Sequence, residues 1–186
     1  MSTNREIEQK ALAVLEQCSQ TQPAVDVESI SRQVGVALHR KQLDDQVSGM
    51  LVVKANAKHI IVNVLHHPNR QRFTVAHELG HLLLHHKKGD KVFLDTSLSV
   101  YKRAGVPGAA TYSEPDSTTT PEQEREANLF AASLLMPREV LIDYIDEQGI
   151  DLDDEFDISK LASVFEVSEQ AMYIRLSYLK LIQSAY

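Results

Sequence analysis

The sequence predicts an α+β fold: a small antiparallel sheet packs on one central helix, and a helical region follows. Three observations support this fold class. Three short runs with strand character, residues 36–39, 49–54 and 59–64, stand close together and are rich in Val and Ile. They lead directly into residues 69–86, which have helical periodicity and are apolar on more than one side. Beyond residue 121 the hydrophobic spacing is helical throughout.

The composition is that of a globular chain of ordinary size. At 186 residues, with 43% hydrophobic and 24% charged residues, it suits one domain with at most a small appendage. The net charge of −7 argues against a chain that coats nucleic acid. No run approaches the length of a membrane span, the first residues are polar, and Cys18 has no second cysteine to pair with. We therefore expect a cytoplasmic protein with no membrane association.

Capping and turn residues predict the remaining N-terminal elements. Residues 6–17 read as a first helix, and Asp26 is an N-cap candidate for a second short helix over residues 27–34, which Gly35 closes. Residues 92–95 form another candidate strand. Residues 103–121 are rich in Gly, Pro, Ser and Thr and predict a long loop, which could serve as a lid.

The central helix carries the sequence His77-Glu78-Leu79-Gly80-His81. Residues four apart lie on nearly the same helix face, so His77 and His81 can direct two nitrogens at one metal ion. Glu78 beside them is placed to act as a general base rather than as a third ligand. Two histidines that serve only the core are the alternative, but burying them with a carboxylate is costly without a metal or a full set of hydrogen bonds. Gly80 has low helix propensity, which indicates close approach of a neighbouring backbone or of substrate, and His85 and His86 are expected to solvate the helix end.

A catalytic zinc site needs a third protein ligand. The start of a helix over residues 122–136 is marked by Thr120 as N-cap, Pro121 at the first helical position and Gln123, which closes a capping box. Glu124 shares a face of that helix with small and apolar residues and is the preferred ligand, while Glu126 lies about 200° around the helix and is the competitor. Either acidic residue, but not both, could instead be a surface charge of a first helical turn.

The stretch RFTVAHELGHLLLH followed by EREANLFAASLLMP resembles the ImmA/IrrE family of metallopeptidases, gluzincins that cut repressor proteins. The resemblance implies a zinc enzyme in which His77, His81 and Glu124 hold Zn²⁺ and Glu78 is the catalytic base. Glu124 and Asn128 fit the family's Glu-x-x-Ala-Asp/Asn arrangement. Asn128, or a backbone carbonyl, is a candidate to orient a ligand histidine. The implied partner is a protein substrate, a helix-turn-helix transcriptional repressor.

Two further parts of such a peptidase can be sought in the sequence. An edge strand can hold an extended substrate by main-chain hydrogen bonds, and residues 49–54 or 59–64 are candidates, although either strand could equally build core alone. Tyr112 in the long loop is a candidate hydrogen-bond donor to the oxyanion.

The chain divides on this interpretation into a peptidase domain, residues 1–140, and a C-terminal helical region, residues 141–186. Residues 137–148 read as a helix, and the acidic run over residues 143–157 is a solvated surface without chemistry. Residues 158–165 and 168–182 predict a helix-turn-helix pair. Its second helix has few cations, so packing on the peptidase domain or docking a protein is favoured over direct nucleic-acid binding.

Three functions therefore remain open. The first is a zinc endopeptidase that acts on a regulator. The second is a DNA-binding regulator that uses the tail, and the third is a non-catalytic interaction protein with a structural metal site. Glu78 counts against the third function, because a structural site needs no base.

Overall fold

The computed structural model describes residues 3–55, 57–86, 91–96 and 119–183. Its fold is α+β, as predicted. Its elements in chain order are α1 (Asn4–Gln17), α2 (Val27–Gln33), β1 (Ala37–Lys41), β2 (Val47–Lys54), β3 (Ala57–Asn63), α3 (Pro68–Gly80), a π-helical segment (His81–His85), β4 (Lys91–Thr96), α4 (Pro121–Leu135), α5 (Arg138–Gln148), α6 (Glu155–Val164) and α7 (Glu169–Tyr178).

The four strands form a mixed sheet in the order β1-β3-β2-β4. β2 is antiparallel to both β3 and β4, but β1 runs parallel to β3. The expectation of a wholly antiparallel sheet is therefore wrong for β1. β4 pairs with the outer side of β2, so β1 joins the sheet on the outer side of β3, where its direction matches that of β3.

This order changes which strands have an open edge. β2 and β3 each have a strand on both sides, so neither of the two strands proposed from sequence to hold a substrate can add a third neighbour. Within the described residues the outer strands are β1 and β4.

Asn63, at the end of β3, fixes the connection between β1 and β2. Its side-chain amide donates to the carbonyls of Asp44 and Val47, and its Oδ1 accepts from the backbone N–H groups of Leu43 and Leu65. Asn63 is completely buried, and these four contacts satisfy its amide. The Asn63 side chain thus makes the hydrogen bonds to the β1–β2 connection that backbone groups would make in a hairpin.

α3 lies between the sheet and the remaining helices. Its buried residues include Val75, Ala76 and Leu79, and they belong to one core cluster with side chains of the sheet. α4 packs along both α3 and α1, which makes α3 the central helix of the protein. None of the helices in the described parts of the chain is long and apolar enough to cross a bilayer.

The C-terminal helices pack on this core. α6 and α7 meet at a tight turn in which Glu166 has a φ of 51°, the left-handed conformation that usually favours glycine. Asn69 of α3 donates to the carbonyl of Val167, and Arg72 of α3 donates to the carbonyl of Glu166. These hydrogen bonds hold the turn between α6 and α7 against the first half of α3.

Arg175 of α7 makes a second connection. Its guanidinium donates to the carbonyl of Met136 and to the carboxylate of Glu8 on α1, and only 2% of the residue is exposed. The long loop predicted over residues 103–121, with Tyr112, lies outside the described residues except at its end.

Candidate metal centre

α3 supplies two histidines to one point. The helix begins at Pro68, where the side chain of His67 accepts a hydrogen bond from the backbone N–H of Asn69. It continues without interruption through His77 to His81, whose side chains are buried. Their Nε2 atoms lie 3.0 Å apart, and the two rings meet edge to face at 81°. The four-residue spacing of the sequence has produced the expected convergence.

Glu124 completes the group from α4. Thr120 and Gln123 form the predicted capping box, which orders the first turn of this helix. One oxygen of the Glu124 carboxylate is 3.3 Å from Nε2 of His77, and the other is 3.3 Å from Nε2 of His81. These three residues form a candidate metal site.

The spacing of these atoms suits a zinc ion. Tetrahedral coordination with zinc–nitrogen bonds near 2.05 Å places two ligand atoms about 3.3 Å apart. The two imidazole nitrogens are 3.0 Å apart, and each is 3.3 Å from a carboxylate oxygen of Glu124. These separations agree with this value. Two imidazoles and a carboxylate are also the donor set of known catalytic zinc sites.

Glu126, the alternative ligand, lies elsewhere. Its carboxylate is 3.7 Å from Nδ1 of His85, one helical turn beyond His81. The two acidic residues thus face different partners, as their separation of two positions on α4 predicts. The geometry favours Glu124 over Glu126 as a ligand.

The electrostatics of the group match the protonation states that a metal requires. Burial raises the pKa of Glu124, but the contacts of its carboxylate with the imidazoles of His77 and His81 outweigh this effect and hold that pKa well below the usual range. Burial lowers the pKa of His81, which the contact with Glu124 offsets only in part. A charged carboxylate and a neutral imidazole are the forms in which these side chains bind metals.

Asn128 fixes the orientation of one imidazole. Nδ1 of His77 lies 2.9 Å from Oδ1 of Asn128, one turn after Glu124 on α4. An amide oxygen only accepts, so Nδ1 carries the hydrogen and Nε2 keeps its lone pair for a metal. Of the two orienting groups considered from sequence, this contact matches the side chain of Asn128.

Glu78 follows His77 directly on α3 and is completely buried. The helix geometry places it about 100° around the axis from His77, so the two side chains leave the helix on adjoining faces. A carboxylate is thus available in the protein interior beside the histidine pair.

Gly80 allows the two metal-site helices to approach closely. A Cβ atom at this position would lie 3.1 Å from both Cα and the carbonyl oxygen of Ala127, and 3.3 Å from Cβ of Phe130. Of the two reasons proposed from sequence, the approach of a neighbouring backbone is therefore the observed one. The absence of a side chain at Gly80 lets α4 bring Glu124 to the histidines.

Sequence reasoning did not predict the π-helical segment that begins at His81. The backbone N–H of His86 bonds to the carbonyl of His81, which is the i→i+5 pattern. His85 does not solvate the helix end as expected, because its side chain is only 6% exposed and its Nε2 lies 3.2 Å from the carbonyl of Gln123. The spacing of His77, His81 and His85 at intervals of four was the available signal.

A helix bearing HELGH, a mixed sheet beside it and a glutamate from a second helix define a fold of the zinc-metallopeptidase type. A family model described as the IrrE N-terminal-like domain, of the M78 peptidases, matches residues 31–177. The chain belongs to this family, as its resemblance to the ImmA/IrrE metallopeptidases predicted.

A solved structure shares the fold. A Mycobacterium tuberculosis transcriptional regulator superposes with a TM-score of 0.57 at 16% sequence identity, over 93% of this chain and 46% of that one. The present chain thus spans about half of that regulator. A comparison with curated proteins gave no match.

Proposed function

We propose that the protein is a zinc-dependent endopeptidase that cleaves a partner protein. The observation that carries this proposal is the convergence of His77, His81 and Glu124, with all three ligand atoms within 4.8 Å of one another. The buried Glu78 beside them supplies the base that a purely structural site would not need. Membership of the M78 peptidase family supports the same reaction.

The residues have separate roles in this reaction. His77, His81 and Glu124 would hold the ion through their Nε2 and carboxylate atoms. When bound, zinc would supply the Lewis acidity that acidifies water and polarises a carbonyl. Glu78 would be the proton carrier, accepting a proton from the attacking water and passing it to the leaving nitrogen. Asn128 keeps the hydrogen of His77 on Nδ1 throughout.

The proposed substrate is a helix-turn-helix transcriptional repressor, held in an extended conformation. β4 is the strand suited to bind it, because in the described part of the chain β4 has β2 on one side only and α3 contacts it. Main-chain hydrogen bonds to such an edge give affinity with little dependence on sequence. A repressor substrate also places the enzyme in the cytoplasm.

Direct DNA binding by α7 receives less support. Residues 169–180 contain two cations, Arg175 and Lys180, and Arg175 is buried with its donors on Met136 and Glu8. A recognition helix needs exposed cations and base-reading side chains. Packing of the tail on the core accounts for Arg175 instead.

The test combines zinc binding with proteolysis. The purified protein is incubated with a candidate helix-turn-helix repressor, encoded near its gene, with zinc, with a chelator, and as the Glu78→Gln variant. The exposed Glu16 on α1 provides a matched control in Glu16→Gln. Cleavage is followed by mass spectrometry, which also identifies the bond.

We expect cleavage with zinc that the chelator abolishes and that Glu16→Gln retains. Glu78→Gln is expected to bind zinc normally and to lose about 10²–10⁴ in rate, the usual contribution of a positioned base. Cleavage at full rate by Glu78→Gln would contradict the proposed base. Zinc-independent, salt-sensitive binding to duplex DNA would favour the regulator function instead.

A further inference from the structure

We infer that His85 is a positioning residue of the metal centre, which places Glu124 by holding the first turn of α4. This inference rests on the proposed function of His77, His81 and Glu124 as zinc ligands. His85 itself is not one of the three grouped ligand residues. Its role follows from three features of its surroundings: the π-helical turn, the carbonyl that it contacts, and its burial.

The π-helical turn directs His85 at α4. In a regular α-helix, eight residues rotate the side chain by about 80°, so His85 would point away from the line of His77. The i→i+5 bond from His86 to His81 widens the turn and reduces this rotation. The ring of His85 consequently lies 5.6 Å from that of His81 and continues the row of imidazoles toward α4.

The contact of His85 with α4 falls next to the third ligand. Nε2 of His85 lies 3.2 Å from the carbonyl of Gln123, the residue immediately before Glu124. A carbonyl only accepts hydrogen bonds, so Nε2 is the donor. The side chain of Gln123 closes the capping box with Thr120, so Gln123 is held both from within α4 and from the π-helical segment.

The contact on the other side of the His85 ring is longer and less specific. Glu126 lies 3.7 Å from Nδ1 of His85, beyond ordinary hydrogen-bond length. The side chains of His85 and Glu126 are each only 6% exposed, so water has little access to either. The donor at Nε2 is therefore the feature to be tested.

Three variants separate positioning from general stability. His85→Ala removes the donor, and His85→Gln restores an amide N–H near the place of Nε2. His86→Ala is the matched control, because it changes a histidine at the next position that has no hydrogen bond to α4 among the described residues. Zinc affinity is measured by competition with a chromophoric chelator, the geometry by the visible spectrum of the Co²⁺ form, and stability by thermal unfolding without metal.

We expect His85→Ala to weaken zinc binding by about 10–100-fold, as for other residues that orient ligands. Its Co²⁺ spectrum should shift toward that of Glu124→Gln, whereas His85→Gln and His86→Ala should keep the wild-type spectrum and affinity within about threefold. A merely structural role would lower the unfolding temperature of His85→Ala and leave the Co²⁺ spectrum unchanged, and that result would overturn the inference.

A different result would reach further. If Glu124→Gln bound zinc as tightly as the wild type, the proposed metal centre would be wrong and the role of His85 would fall with it. Wild-type affinity in His85→Ala, together with weak binding in Glu124→Gln, would reject only the role of His85.

Discussion

Two imidazole nitrogens held 3.0 Å apart repel each other if both present lone pairs, unless a proton or a cation lies between them. Asn128 fixes the hydrogen of His77 on Nδ1 and thereby directs the lone pair of Nε2 inward. The carboxylate of Glu124 then adds a negative charge at 3.3 Å from both rings. Each residue thus raises the affinity of this point for a cation.

The choice between the two glutamates of α4 gives the first prediction at this scale. Glu124→Ala removes a group that contacts both histidines, so we expect its zinc affinity to fall by at least about 100-fold. Glu126→Ala changes a more deeply buried carboxylate two residues away and should retain zinc within about threefold. Equilibrium dialysis with metal analysis measures both. Loss of zinc in Glu126→Ala with retention in Glu124→Ala would reverse the assignment.

Asn128 gives the second prediction. Asn128→Leu keeps a similar volume but removes the acceptor for Nδ1 of His77, so zinc binding should weaken by about 10–100-fold. Asn69→Ala is the matched control, since Asn69 also bonds across helices but at the other end of α3, to Val167. It should lower stability without changing zinc affinity. Equal losses of zinc affinity in both variants would point to general disruption of α3.

At the scale of elements, the sequence predicts the features whose physical cause lies within a few residues of one another. The start of α4 follows from Thr120, Pro121 and a capping box within four residues, and the structure reproduces the predicted bounds to within one residue. The place of β1 beside β3 depends on pairing between residues that lie about 22 positions apart, for which hydrophobic periodicity carries no signal. The π-helical turn at His81 likewise depends on packing against α4, because helical periodicity alone does not distinguish it from an α turn.

The contact of α3 with α4 gives the third prediction. Gly80→Ala should improve helix propensity by up to about 1 kcal/mol, yet its Cβ would meet backbone atoms of Ala127 at 3.1 Å. We expect overpacking to prevail, with a net loss of about 1–3 kcal/mol in the free energy of unfolding and weaker zinc binding as Glu124 moves away. Denaturant unfolding and zinc titration measure the two effects.

The control for this prediction isolates propensity. Ala13→Gly on the exposed face of α1 should cost about 1 kcal/mol and leave zinc affinity unchanged. If Gly80→Ala were more stable than the wild type, with normal zinc binding, the close approach of the two helices would not constrain the site.

At the scale of the whole molecule, one hydrophobic core joins the peptidase region to the tail. The core cluster contains Ile7 of α1, Leu79 of α3, and Leu161 and Leu176 of the last two helices. Helix spacing and composition predict a division at residues 140 and 141, but they carry no information on contacts between distant segments. Hydrogen bonds from α3 to the turn at Glu166 tie the same parts together.

Arg175 provides the prediction that tests this connection. Arg175→Met keeps the apolar stem but leaves the carbonyl of Met136 and the partly exposed carboxylate of Glu8 without their donor. We expect the free energy of unfolding to fall by about 1–3 kcal/mol, because the buried carbonyl of Met136 loses its donor, whereas water can reach the carboxylate of Glu8. Because the core is continuous, unfolding should remain a single transition in which near-UV and far-UV signals coincide.

The exposed Arg138 nearby offers the control Arg138→Ala, which should change stability by less than about 0.5 kcal/mol. Arg175→Met could instead unfold in two separate transitions, with zinc still bound after the first. That result would mean that residues 141–186 unfold as a unit of their own.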